Sequence, residues 1–108
     1  MKIKVANYIS QFLVDHGVTD AFSVVGGGAM HLNDAFGHQE GLHTTYNHHE
    51  QACAIAAEAY ARLENKIALV CVTSGPGGIN ALTGVCGGFD SYVYSFGSGK
   101  IYNYFPLC

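Results

Sequence analysis

The residues best placed to do chemistry are grouped in Tyr46-Asn47-His48-His49-Glu50-Gln51. Two readings of this cluster stay open. In one, Asn47 caps a helix by accepting from its first amides, and Glu50, three residues on, reaches back to the cap's own amide as a capping box. In the other, Glu50 stands at the carboxyl end of a strand, where its carboxyl can hydrogen-bond a ring nitrogen of a bound heterocycle. Metal binding by His43, His48 and His49 is disfavoured, because adjacent helical residues diverge by about 100° and no second ligand repeats at i, i+4.

Two glycine-rich stretches, Gly26-Gly27-Gly28 and Gly75-Pro76-Gly77-Gly78-Ile79-Asn80, mark close turns. The second is superficially a phosphate loop, but Asn80 stands where the third glycine of G-x-G-x-x-G belongs. Phe96 to Ile101 fails as a Walker loop, with Tyr94 at its first glycine and Ile101 at the magnesium-binding hydroxyl. Nucleoside triphosphate hydrolysis and a Rossmann-type nucleotide module are therefore disfavoured.

The elements that must hold these residues alternate between helix and strand. Ile3, Tyr8, Ile9, Phe12 and Leu13 recur at helical spacing, with Gly17 as a stop. Ala21 to Val25 reads as a buried strand feeding the Gly26-Gly27-Gly28 turn, and Ala29 to Phe36 as a helix closed by Gly37. Leu42 to Tyr46 has strand character. His48 to Leu63 is an alanine-rich helix. Ile67 to Val72 is a continuous apolar hexamer of the kind found in a central parallel strand. Ile79 to Val85 begins a further helix, and Ser91 to Phe96 forms one more strand. This order predicts an α/β fold with a three-layer, doubly wound, mostly parallel sheet, whose ligands sit beyond the carboxyl ends of the strands.

Composition narrows the function. The chain has 108 residues, 49% of them hydrophobic and 12% charged, with a net charge of −3. That suits one globular domain and argues against disorder, against a basic surface for nucleic acid and against attraction to an anionic membrane. Gly75 to Gly78 interrupt the longest uncharged run, so no span of about 20 apolar residues exists. Neither a secretory signal nor a C-x-x-C pair is present, and the expectation is a reduced, cytoplasmic protein without a structural disulfide.

Taken in order, Gly26-Gly27-Gly28, then His49-Glu50-Gln51 opening a helix with Ala57-Glu58-Ala59-Tyr60-Ala61-Arg62, then Val72-Thr73-Ser74-Gly75-Pro76-Gly77-Gly78-Ile79-Asn80, resemble the thiamine diphosphate enzymes. The likeness is to the aminopyrimidine-binding N-terminal domain of the acetolactate synthase group, over Lys4 to Asp90. It implies a thiamine diphosphate-binding fold in 1–90, with Glu50 as the catalytic carboxyl that promotes the coenzyme's imino tautomer. It further implies cofactor contacts from Gly26, Gly27, Gly28, Gly75, Pro76 and Gly77. Asn80 matches the family's asparagine after that loop and is expected among the cofactor-binding residues, in a structural or dimer-facing role. The coenzyme's chemistry would then be decarboxylation and carboligation of 2-keto acids.

Two departures limit this reading. The family holds diphosphate and magnesium through a separate C-terminal domain with a Gly-Asp-Gly motif, which these residues lack. A homo-oligomeric partner or that C-terminal domain is therefore expected to complete the site, and the fold is expected to be incomplete at its C-terminal end. In addition, Tyr92 to Tyr102, read one nucleotide downstream, can spell Met-Tyr-Ile-Leu-Ser-Gly-Gln-Val-Lys-Tyr, close to a family strand. Residues 91–108 are thus expected to be an aberrant, frameshifted tail. The alternative function is a non-catalytic remnant or split subunit that only pairs with a full-length partner.

Overall fold

A computed structural model describes residues 2–87 together with the backbone of 93–97 and 100–102. Helix α1 covers Val5–Asp15 and strand β1 Asp20–Ser23. A single 3-10 turn at Gly27–Ala29 leads into α2, Met30–His38. Strand β2 (His43–Tyr46), helix α3 (Glu50–Glu64), strand β3 (Ala68–Cys71) and helix α4 (Pro76–Gly87) follow. Strands β4 (Val93–Gly97) and β5 (Lys100–Tyr102) complete the order.

The sheet runs β2-β1-β3-β4-β5. Its first four strands are mutually parallel, and β5 is antiparallel to β4. The α/β, mostly parallel architecture expected from the sequence is therefore present. Alternation along β3 sorts the core into two halves. Leu69 and Cys71 pack with Leu13, Val18, Ala29 and Phe36 under α1 and α2. Ala68, Val70 and Val72 pack with Cys53, Ala54, Ala57, Ala61 and Ala81 under α3 and α4. Helices thus cover both faces, which is why β3 reads as an unbroken apolar run instead of an alternating one.

Helix ends show where local chemistry decided the boundary. Gly17 adopts φ +85°, and the amides of Gly17 and Val18 reach the carbonyls of Val14 and Leu13 at 2.9 and 3.0 Å. That left-handed closure favours glycine and ends α1 as expected. Asn65 closes α3 at φ +51°. Helix α2 does not stop at Gly37. One interior glycine costs only about 1 kcal/mol, and the helix continues to His38, whose Nδ1 lies 2.8 Å from the Asp34 carbonyl. Helix α4 starts at Pro76, three residues before the expected Ile79, because a proline ring suits the first helical position. The backbone at 93–97 is a strand as expected from Ser91 to Phe96, paired to β3 from Ala68↔Val93 to Cys71↔Phe96. Residues 88–92, 98–99 and 103–108 lie outside the described residues.

At the amino ends of the strands, Asp20 gathers a polar cluster. Its carboxylate accepts from the Tyr60 hydroxyl at 2.6 Å and the Thr19 hydroxyl at 2.7 Å, with His43 Nδ1 at 3.5 Å. Burial pushes the Asp20 carboxyl up, but these hydrogen bonds and the nearby imidazole outweigh it and hold it below the usual range. The cluster pins α3 to β1 at the end opposite the glycine loops.

Candidate functional site

Because β2, β1 and β3 are parallel neighbours, the segments leaving their carboxyl ends share one edge of the sheet. Those segments carry Gly26 to Gly28, Asn47 to Glu50, and Thr73 to Gly77. The ladder runs on past the strands, with Val24 N–H donating to the Cys71 carbonyl at 3.3 Å and Asn47 N–H to that of Ser23 at 2.9 Å. The loops therefore start from fixed positions.

Glu50 is the first residue of α3 and is half-buried. Its Oε2 accepts from Asn80 Nδ2 at 3.1 Å. This bond and the residue's own amide hold the carboxyl below its ordinary range, against a small opposing effect of burial and with help from His49. On the single chain Glu50 is thus an ionised acceptor. The capping box does not form. His49 is the cap, extended at φ −153°, and its Nδ1 accepts from Gln51 N–H at 3.1 Å. Asn47 instead accepts from the Cys53 thiol at 3.3 Å, and burial pushes that thiol up to about 11. The imidazole competes successfully because Asn47 is already occupied and sits two residues before the cap position.

The glycines are needed for close approach. A Cβ at Gly77 would lie 2.9 Å from Thr73 Cγ2 and 3.3 Å from Glu50 Oε1, so any side chain there would press on the carboxylate. A Cβ at Gly26 would lie 2.5 Å from Thr73 Cβ. Gly28 N–H donates to Thr73 Oγ1 at 3.1 Å, whereas a Cβ at Gly27 would meet nothing within 4 Å. Gly75 adopts φ +67°, a turn conformation that favours glycine. Gly26, Gly28, Gly77, Glu50 and Asn80 are thereby brought into one connected set through Thr73. Pro76 serves as the first residue of α4. His43 instead lies beside Asp20 at the opposite strand ends, and no three potential metal ligands cluster among the described residues. The sequence reading gave no role to Thr73 or to His49 as cap. The presence of Thr73 in the third motif was the available clue.

Below the first turn, the buried Ser23 hydroxyl lies 2.8 Å from the Cys71 carbonyl and 2.9 Å from the Asn33 side-chain amide. A hydroxyl donates one hydrogen. With Cys71 accepting it, the Asn33 amide turned over would donate its otherwise unpaired Nδ2 to Ser23. Either way the pair fixes the start of α2 against β1.

Chemically the edge offers one carboxylate acceptor flanked by side-chain-free backbone. It suits a flat nitrogen heterocycle. The three loop segments contain no Lys or Arg, and His48 and His49 are the side chains in them able to carry positive charge.

Residues 3–93 match the family described as "Thiamine pyrophosphate enzyme, N-terminal TPP binding domain", and the chain belongs to that family. An acetolactate synthase large subunit from Haemophilus influenzae is 37% identical over 101 residues, 93% of this chain and 18% of that protein. One from Lactococcus lactis is 39% identical over 87 residues, 81% of this chain and 15% of that protein. The isozyme 3 large subunit of Escherichia coli is 34% identical over 97 residues, 89% of this chain and 17% of that protein. The chain therefore spans less than a fifth of the length of the curated relatives it matches. No helix among the described residues is long and apolar enough to cross a membrane.

Proposed function

We propose that this chain supplies the pyrimidine half of a thiamine diphosphate site in an acetolactate synthase-like assembly that acts on 2-keto acids. The observation that carries the proposal is the Glu50 carboxylate, at the carboxyl edge of the sheet, held by Asn80 and bordered by Gly77. When bound, thiamine diphosphate supplies a nucleophilic carbon for the keto carbonyl and a sink for the electrons released with carbon dioxide. Glu50 would accept a ring N–H at Oε1 while Asn80 holds Oε2. Gly26, Gly27, Gly28, Gly75, Pro76 and Gly77 would line the rings with backbone.

Sharing a proton near neutral pH requires Glu50 to lose water contact, because its present surroundings favour the ionised form. We assign that desolvation to a partner subunit, and the binding of diphosphate and magnesium to a domain outside these residues. The 108-residue chain alone is then a binding half-site without turnover. Residues 91–108 remain assigned to a shifted reading frame; nucleotides that cannot spell the family strand one position downstream would remove that assignment.

Thermal unfolding with and without thiamine diphosphate and magnesium tests the reading, since a ligand held only by the folded state raises the midpoint. At 100 times Kd the gain is about 2.7 kcal/mol. The expected result is a rise abolished by Glu50→Gln. An unchanged midpoint at millimolar coenzyme would refute the half-site and leave a non-catalytic remnant.

A further inference from the structure

The 3-10 turn at Gly27–Ala29 begins at Gly26, an extended N-cap with φ −167° and ψ 156° and no side chain to cap with. Turns of this kind ordinarily draw on a Ser, Thr, Asp or Asn at the N-cap, whose oxygen accepts an amide two or three residues on. Here that amide, Gly28 N–H, is accepted by Thr73 Oγ1 from the end of β3. The space in which an N-cap side chain would begin is filled by the same threonine, since a Cβ at Gly26 would lie 2.5 Å from Thr73 Cβ and 2.9 Å from its Oγ1. The cap has been transferred from position 26 to position 73.

The other branch of the side chain points to the second loop. Thr73 Cγ2 lies 2.9 Å from where a Cβ at Gly77 would be, and the same point is 3.3 Å from Glu50 Oε1. A β-branched side chain has few χ1 choices, so placing the hydroxyl on Gly28 also fixes the methyl against Gly77. Thr73 is therefore in contact with both glycine loops.

We propose that Thr73 is a positioning residue, whose hydroxyl locks the Gly26 to Gly28 turn and whose methyl seats Gly77 beside Glu50. This sets the spacing between the two loops that receive the coenzyme. The coenzyme part of the claim rests on the half-site reading above; the part about the turn does not.

The substitutions separate the two branches. Thr73→Val keeps the shape and removes the acceptor, while Thr73→Ser keeps the acceptor and removes the methyl. Hydrogen exchange of the assigned Gly28 amide, followed by NMR on the full 108-residue chain without coenzyme, is expected to be about fivefold or more faster in Thr73→Val and near wild type in Thr73→Ser. Titration with thiamine diphosphate and magnesium is expected to show binding weakened about tenfold by Thr73→Val, which loses the lock on the turn, and weakened also by Thr73→Ser, which keeps that lock but loses the seat for Gly77.

Unchanged Gly28 exchange in Thr73→Val overturns the proposal. If Thr73→Val does not fold, Thr73→Ser decides alone, because Gly28 exchange as fast as in a peptide would show that the hydroxyl is not its partner. Coenzyme binding equal in wild type and a folded Thr73→Val overturns the spacing role. Absence of binding by wild type, with Gly28 exchange as expected, overturns the half-site reading and leaves the turn-locking claim standing.

Discussion

Adding one methyl at Gly84 tests how closely α3 and α4 meet. A glycine inside a helix is ordinarily improved by alanine, by about 0.5–1 kcal/mol. At Gly84 the sign should reverse. The new Cβ would stand 2.4 Å from Ala54 Cβ, 2.8 Å from Ile55 N and 2.9 Å from Ala54 C. Carbon atoms rest at about 3.5–4.0 Å, so the overlap exceeds an ångström and two of the three obstacles are backbone that no rotamer change can move. The helices must separate, loosening Cys53, Ala54, Ala57 and Ala81 against Val70 and Val72. Overpacking of this kind costs about 1–3 kcal/mol, and the backbone clash puts Gly84→Ala at the upper end, for a net loss of about 2 kcal/mol after the gain in helix propensity. Gly78→Ala is the control, because a Cβ there meets nothing nearer than the Thr73 carbonyl at 3.9 Å. Thermal melts followed by circular dichroism should show Gly84→Ala lower by about 4–8 °C per kcal/mol and Gly78→Ala unchanged or higher. A Gly84→Ala midpoint at or above wild type would refute backbone-to-backbone packing of these helices.

Asn80→Ala removes the donor that keeps Glu50 ionised, so the Glu50 carboxyl should move up toward its ordinary range in a carbon-detected NMR titration; an unmoved carboxyl would contradict the Asn80 contact. The same substitution should destabilise the chain more at neutral pH than in acid, since a depressed carboxyl stabilises above its unfolded pKa and loses that contribution as pH falls through the folded value. Tyr60→Phe deletes a 2.6 Å bond to a carboxylate and should cost about 1.5 kcal/mol at neutral pH in urea unfolding. That difference should shrink once Asp20 is protonated below its lowered folded value, and a pH-independent cost would argue against the charged bond.

Much of the architecture was legible because two physical patterns are strong. Six apolar residues from Ile67 to Val72 have no polar face to turn to water, which places β3 inside a sheet covered on both sides. Six alanines between Ala52 and Ala61 give α3 both its helicity and its thinness. What escaped was competition between caps. Asn47 has the right chemistry for a cap but is held by Cys53, whereas His49 takes the position through an imidazole nitrogen. Glu50 and the glycine turns stood out by their order along the chain, and the parallel sheet brings them to one edge. The role of Thr73 was not, because it depends on β1 and β3 lying side by side, a pairing between residues some fifty positions apart that local spacing does not encode.

The order β2-β1-β3 also has a consequence for how the chain is made. Synthesis delivers β1, then β2, and β3 only after α3 is complete, so β3 must dock on the bare side of β1 opposite β2. A nascent chain ending near Asn65 carries Glu50 with neither Asn80 nor Gly77 beside it, and presents an unpaired β1 edge to any neighbour on the ribosome. Both neighbours of the carboxylate arrive only with α4. A chaperone or a second nascent chain that covers that edge would delay the carboxylate's final setting without touching the carboxylate itself.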